Sequence, residues 1–276
     1  MLGGAACYFS VAASYFGAVR AVAVVGSDFP REHLEFLSSR GIDTAGICRA
    51  EGDTFRWGGR YHASLNDRDT LFTELGVFEG FDPVLPDAYR NSEFVFLANI
   101  HPSLQLRVLE QTRAPRFTAM DTMDFWIERT RDELEKTLAR VDGLVINDQE
   151  ARQLTAKQNL VRAAAVIRDL GPRIVIIKRG EHGALLFDEA GVFAAPAFPL
   201  LEVQDPTGAG DSFAGGFMGA LAREGRLDSE NLRRAVIYGS VMASFCVERF
   251  SLDRFRALSG AEIEGRLAQF RSLTRF

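Results

Sequence analysis

The stretch whose reading decides the fold is Asp205-Pro206-Thr207-Gly208-Ala209-Gly210-Asp211-Ser212-Phe213-Ala214-Gly215-Gly216-Phe217, DPTGAGDSFAGGF. It sets spaced glycines and a carboxylate at the head of an apolar run. Glycine accepts positive φ and lets backbone N–H groups approach a ligand with no Cβ in the way. Successive N–H groups at a helix start form a concave, partly positive seat for an oxyanion. Pro206 has no N–H to donate and stiffens the approach. The residues that follow are apolar nearly all round (Phe213, Phe217, Met218, Leu221), which predicts a buried helix whose first turn points into the protein's own cleft. Gly215, Gly216 and Gly219 inside that helix cost about 2–3 kcal/mol together relative to alanine. Close packing or a close ligand has to offset that cost.

Asp211 carries two readings. As an acidic first-turn residue it stabilises the helix dipole by a few tenths of a kcal/mol up to about 1. As a functional group it is a carboxylate beside an anion seat, placed to take the proton of an attacking hydroxyl. Phosphoryl transfer suits such a group, because orientation of the nucleophile matters there more than base strength. Two other phosphate-binding patterns fail. A Walker loop needs G-x-x-x-x-G-K-[ST], and none of the lysines, Lys136, Lys157 and Lys178, has that context. A dinucleotide fingerprint needs a third glycine where Phe213 stands, and a strand where the sequence offers only LEVQ.

Working outward, short apolar runs at 21–25, 94–98, 117–120, 144–146, 174–177 and 184–187 have the form of buried parallel strands. Helical spacing fills the intervals at 31–40, 103–111, 129–140 and 159–170, the last stopped by Gly171-Pro172. This alternation predicts an α/β fold with a doubly wound, mostly parallel central sheet. Residues 42–80 break the pattern. Phe55, Trp57, Gly59, Tyr61 and Ala63 alternate onto one face, Asn66 to Asp69 form a polar turn, and 71–78 return as a second strand. We therefore divide the chain into a core of 1–41 and 81–276 and an inserted β unit of 42–80. That unit is a hairpin packed on its own domain, a lid over a ligand, or a dimer interface; its aromatic content favours the last two.

The chain has 276 residues, 47% of them hydrophobic, and a net charge of −5, which suits one large α/β domain with a small appendage and gives no reason to expect nucleic acid. No apolar run reaches the length of a membrane span, and the opening lacks a basic signal-peptide segment. Cys7, Cys48 and Cys246 are too few and too scattered for a disulfide framework and read as small core residues of a cytoplasmic protein.

DPTGAGDSFAGGF resembles the C-terminal signature of the ribokinase (PfkB) family of carbohydrate and nucleoside kinases. Three more stretches fall in the family's order. GGAACYFSVAASYFGAVRAVAVVGSDFP, residues 3–30, resembles its first signature. Asn147-Asp148-Gln149-Glu150 matches its N-x-x-E, and Lys178-Arg179-Gly180-Glu181-His182-Gly183 its x-x-G-x-x-G. The resemblance implies a ribokinase-like fold with a β lid. It also implies phosphotransfer from ATP, with Mg²⁺, to an alcohol group of a sugar, polyol or nucleoside. Asp211 would be the base, and the amides from Gly208 through Ala209 and Gly210 to Asp211 the anion hole. Asn147 and Glu150 would organise Mg²⁺-ATP, Glu150 through water. Lys178, Gly180, Gly183 and Thr207 would bind the nucleotide, and Gly3 and Gly4 would lie against the acceptor. Asp205 and the helix ending at 243–246 would flank either a monovalent cation or the adenine. Lid-to-lid dimers are compatible with the same resemblance.

Blander readings stand beside these. Asn147 and Glu150 also have the spacing of a helix cap. His182 reads as a turn residue. His101 and Asp121 each follow a strand, where ligands bind in open α/β sheets, yet His101 is a lone histidine and Asp121 also reads as a strand-terminal turn. Family members begin with a strand, carrying a sugar-binding aspartate, ahead of the Gly-Gly pair; this sequence opens on the pair. The expectation is a sheet one strand short. The alternative function that goes with it is a truncated, catalytically weak or silent small-molecule-binding member of the fold.

Overall fold

The computed structural model describes residues 1–62 and 68–275, so Ala63 and the Asn66-Asp67 half of the expected lid turn fall outside the described residues. The strands are β1 (Val19–Val25), β2 (Ile42–Arg49), β3 (Arg56–Tyr61), β4 (Arg68–Glu74), β5 (Phe94–Leu97), β6 (Phe117–Asp121), β7 (Gly143–Asn147), β8 (Ile174–Lys178), β9 (Ala184–Asp188) and β10 (Gly191–Ala195). The helices are α1 (Ala5–Ala13), α2 (Arg31–Ser39), α3 (Pro102–Gln111), α4 (Asp124–Arg129), α5 (Arg131–Leu138), α6 (Asp148–Thr155), α7 (Leu160–Asp169), α8 (Ala209–Glu224), α9 (Ser229–Cys246), α10 (Asp253–Ala257) and α11 (Gly260–Leu273). Six strands form the central sheet in the order β10-β9-β8-β7-β6-β5, with β5 to β8 parallel and the β8–β9 and β9–β10 pairs antiparallel.

The period-two geometry of a strand divides the interior into two cores. Along β7 and β8, Val145, Ile174 and Ile176 pack with residues of α1, α8, α9 and α11 on one face. Their neighbours Leu144, Ile146, Val175 and Ile177 pack with α3, α5, α6 and α7 on the other. Both faces are apolar, so the strands show uninterrupted hydrophobic runs, and the helices wind around both sides as the alternation predicts.

The glycines of α8 are explained by packing. A Cβ on Gly215 would fall 2.3 Å from the Phe9 carbonyl oxygen of α1, and one on Gly216 would fall 2.8 Å from the Tyr238 carbonyl oxygen of α9. The helix is clamped between two neighbours at distances only glycine permits. Its first turn is thereby fixed in the protein interior.

Four expectations need adjustment. The apolar run 21–25 lies in β1, which is not part of the central sheet; it pairs, in parallel, with β2 alone. The second lid strand ends at Glu74, and Gly76–Phe78 turn as a 3-10 helix instead, with Asp69 already inside β4. The helix expected over 129–140 is interrupted: Thr130, with φ −135 and ψ 44, leaves helical geometry and separates α4 from α5. Cys246 is buried and Cys7 half-buried, but Cys48 is exposed on β2. Burial holds the Cys7 and Cys246 thiols up to about 12, the charge of Asp211 adding to it, so both stay protonated and inert.

Candidate active site

The segment leading into α8 is held by its own backbone. Gln204 N–H donates to the Val247 carbonyl oxygen at 2.8 Å, and Thr207 N–H donates to Oδ1 of buried Asp205 at 2.9 Å. Gly208 then takes φ 78, and a Cβ there would meet the Tyr8 ring at 2.4 Å. Both the left-handed backbone and the packed aromatic demand glycine. No side chain caps α8. The Ala209 N–H turns back onto the Pro206 carbonyl oxygen at 3.2 Å, so an anion at this terminus would be met chiefly by the amides after it. Asp211, in the first turn, is half-buried. It lines a single large cavity together with Gly3, Gly4, Asn147, Glu150, Thr207 and Gly208.

A second set of polar groups arrives from the carboxyl ends of adjacent parallel strands. Asn147 of β7 and Lys178 of β8 are partners in register, and Asp121 of β6 pairs in register with Val145, two residues before Asn147. Asn147 caps α6: its Oδ1 accepts from the Glu150 N–H at 2.7 Å, while Glu150 Oε2 accepts from the Asn147 N–H at 2.9 Å. The cap reading of this motif is therefore correct as far as it goes, and it also fixes both side chains at the cavity wall. Lys178 reaches across to α8, its Nζ lying 2.8 Å from where a Cβ on Gly210 would stand. Asp121 is 6% exposed, and its Oδ1 has no hydrogen-bond partner. Burial, then the charge of Asp211, raises this carboxyl well above its usual range, and Lys178 opposes the shift.

Lys178, Ala209, Gly210, Gly180 and Gly183 do not line the cavity. Lys178 and Gly210 stand against each other just behind its wall. Gly183 has a structural reason to be glycine: at φ 80, a Cβ would fall 2.0 Å from the Ala195 carbonyl oxygen.

The β3–β4 hairpin lines the cavity. Thr207 Oγ1 donates to the Tyr61 hydroxyl at 3.2 Å, joining the hairpin to the α8 approach segment across 146 positions of sequence. The hairpin's base is held by Asp28 of the first signature, whose carboxylate accepts from Thr54 N–H (2.7 Å), Thr54 Oγ1 (2.6 Å) and Arg56 (2.7 Å). These bonds pull the Asp28 carboxyl down to about 2. Of the expected aromatic face, Phe55, Trp57 and Tyr61 all line the cavity, and Phe55 also joins Phe78 and Phe81 in a cluster of rings there.

A match to a family model settles what kind of chain this is. The model described as pfkB family carbohydrate kinase matches residues 1–255. The chain belongs to that family. It is 33% identical over 230 residues to the cytidine kinase of Thermococcus kodakarensis, covering 81% of each chain. Solved pfkB-like structures share the fold. An E. coli protein described as a ribokinase II, solved with ATP and Mg²⁺, has a TM-score of 0.80 at 22% identity, covering 97% of this chain and 89% of that one. The nucleoside kinase of Burkholderia thailandensis, in complex with inosine, has a TM-score of 0.79 at 19% identity, covering 99% and 87%.

A pfkB-family kinase implies a divalent cation, and the donor set can be tested for it. Among the described residues no three His, Cys, Asp or Glu side chains gather closely enough to cage a metal. Mg²⁺ needs no such cage, since it keeps several waters and takes one or two carboxylates together with phosphate oxygens. Glu150, at the cavity wall, fits that mode; Asp121, with its unpartnered Oδ1, is buried outside the cavity lining.

Other polar residues resolve as follows. His101 caps α3, its Nδ1 accepting from the Ser103 N–H at 3.2 Å, and its ring sits edge-on to Trp126. His182 is an exposed turn residue. Asn99, which no motif or spacing marks, lines the cavity beside Trp126 and accepts from its Nε1 at 2.8 Å. Nor does any mark the contact of Tyr61 with Thr207.

Proposed function

We propose that this protein is an ATP- and Mg²⁺-dependent kinase that phosphorylates an alcohol group of a nucleoside, in preference to a free sugar or polyol. The observation that carries the reading is the placement of Asp211 on the first turn of a buried, uncapped helix, facing the same cavity as Asn147 and Glu150. The likeness to a cytidine kinase over most of both chains supports a nucleoside acceptor, and the Trp57, Tyr61 and Trp126 rings at the cavity supply faces on which a base can stack.

When bound, Mg²⁺-ATP supplies the transferable γ-phosphoryl group. The Asp211 amide, at the cavity wall and the positive end of α8, would meet its oxygens, and Gly210 with the Lys178 ammonium would stand just behind that wall, the ammonium balancing the charge. The Asp211 carboxylate accepts the proton of the acceptor hydroxyl and aims its oxygen in line. Glu150 would hold the cation through its water shell, and Gly3 and Gly4 would offer backbone to the acceptor. Tyr61, docked on Thr207, keeps the hairpin down and water out.

The test is a phosphotransfer screen with labelled ATP against pyrimidine and purine nucleosides, ribose, fructose and simple polyols. A nucleoside is expected to give the highest kcat/KM. Transfer to a free sugar alone would overturn the acceptor class while leaving the kinase reading intact, and ATP binding without transfer to any acceptor would overturn the kinase reading.

A further inference from the structure

Asn99 follows the carboxyl end of β5 and lines the cavity, half-buried. Its amide is gripped from two sides by the segment that follows β6. Trp126 Nε1 donates to Asn99 Oδ1 at 2.8 Å, and Asn99 Nδ2 donates to Met123 Sδ at 3.1 Å. An indole N–H is a donor only, so it fixes which end of the amide is oxygen. Turning the amide over would set its NH2 against the indole N–H and leave both unsatisfied. The Trp126 ring is itself held edge-on by His101, at 5.1 Å between centroids, and by Phe125, at 4.9 Å. The strand ends from which Asn99 and Met123 emerge are tied together as well. Nε2 of Gln105, a buried residue of α3, lies 3.1 Å from each of the carbonyl oxygens of Leu97, Ala98 and Asp121 and donates to them. The β5–β6 pairing ends at Leu97 with Met120, and Gln105 extends the tie to the turn where Asn99 stands.

A side-chain amide has two donor hydrogens and two acceptor lone pairs. The bonds to Trp126 and Met123 use one of each. Asn99 therefore keeps one N–H and one lone pair, in a fixed order, at the wall of the cavity that Asp211 shares. It stands two strands across the sheet from Asn147, about 10 Å at the usual strand spacing, so a group bound to it belongs to the end of the acceptor remote from the transferring phosphoryl.

We propose that Asn99 reads the base of the acceptor, and that Trp126 holds it in the one orientation that tells an amino group from an oxo group beside a ring nitrogen. The proposal rests on the nucleoside acceptor proposed for this site. Bases present such edges in two opposite orders. Cytosine and adenine set an amino donor beside a ring-nitrogen acceptor, whereas uracil and hypoxanthine set a carbonyl acceptor beside a ring N–H. An amide free to turn over pairs with either edge. Held by the indole, Asn99 pairs with one edge and meets the other donor to donor and acceptor to acceptor. Asn99 is then a specificity-determining residue, and Trp126 a positioning residue that acts through it.

The test measures kcat/KM for two pairs, cytidine with uridine and adenosine with inosine, whose members are alike in size and differ at that edge. In the pair it turns over faster, the parent is expected to favour one member by at least about tenfold. Trp126→Phe keeps a ring but loses the indole N–H, and Asn99→Ala loses the amide. Each is expected to bring the ratio close to one, the first by improving the poorer member and the second by weakening the better. A structural role alone would lower both members together and keep the ratio. Retention of the parent ratio by either variant would overturn the proposal. A ratio near one in the parent would overturn it while leaving the nucleoside acceptor standing. Transfer to free sugars and to no nucleoside would overturn both.

Discussion

The ammonium nitrogen of Lys178, the last residue of β8, lies 2.8 Å from the point a Cβ on Gly210 would occupy in the first turn of α8. Strand end and helix start are thus in contact at the place where negative charge would develop. The obstructing atom is the tip of a flexible side chain, so Gly210→Ala is expected to cost little stability. Displacing Lys178 should nevertheless lower kcat by more than about tenfold. Gly208→Ala provides the contrast. Its left-handed backbone and the Tyr8 ring oppose any side chain, and a loss above about 2 kcal/mol is expected. Thermal melts beside steady-state kinetics on the two variants check the pair; a large stability loss in Gly210→Ala would contradict the assignment.

The bond from Thr207 to Tyr61 makes a separable claim about water exclusion. Tyr61→Phe removes a half-buried hydrogen bond worth about 0.5–1.5 kcal/mol. That corresponds to a shift of roughly two- to tenfold toward the open hairpin. ATP hydrolysis without an acceptor should rise by that factor relative to transfer, with Tm nearly unchanged. An unaltered ratio of hydrolysis to transfer would count against the hairpin as a lid.

Asp28 sets the acid limit of the hairpin. Its folded-state pKa is depressed from 3.8 to about 2 by the hydrogen bonds from Thr54 and Arg56. A depressed carboxylate stabilises the fold above its unfolded value, and that contribution disappears as pH falls through the folded value. Exchange at the β3 amides should therefore accelerate between about pH 4 and pH 2. Asp28→Asn should show the faster exchange already at neutral pH and a flat profile across that window.

Asp121 has the opposite sign. Burial beside Asp211 raises its pKa, so ionising it costs stability as pH climbs above 3.8 toward the raised value. Without divalent cation, Asp121→Asn should melt higher than the parent at neutral pH, and the difference should vanish near pH 3. Added Mg²⁺ should narrow the neutral-pH difference if this carboxylate helps hold the cation. Identical melts at neutral pH would remove the strain.

How much of this was legible in the sequence depends on how local each signal is. β7 and β8 could be read directly, because strands buried on both faces are continuous runs such as Leu144 to Ile146. The α8 start could be read because Gly208 serves a local backbone need, its left-handed φ of 78. β2 could not: IDTAGICR is half polar and becomes a strand only by pairing with β1. The Thr130 break between α4 and α5 lies in a segment whose spacing looks helical throughout. Asn147 and Glu150 were visible, but a capping box and a cation site use the same residues at the same spacing, so spacing alone could not separate them. The Tyr61–Thr207 and Asn99–Trp126 contacts arise from tertiary packing and leave no trace in either local sequence.

The measurement closest to the central claim is single-turnover phosphotransfer by Asp211→Asn, set beside its affinity for Mg²⁺-ATP. The amide keeps the size and one accepting oxygen of the carboxylate, but its NH2 only donates and cannot accept the proton. Transfer should fall by about 10²–10⁴ while nucleotide affinity changes little. Transfer at the parent rate would contradict the account, since the group placed at the mouth of α8 would then take no part in the reaction.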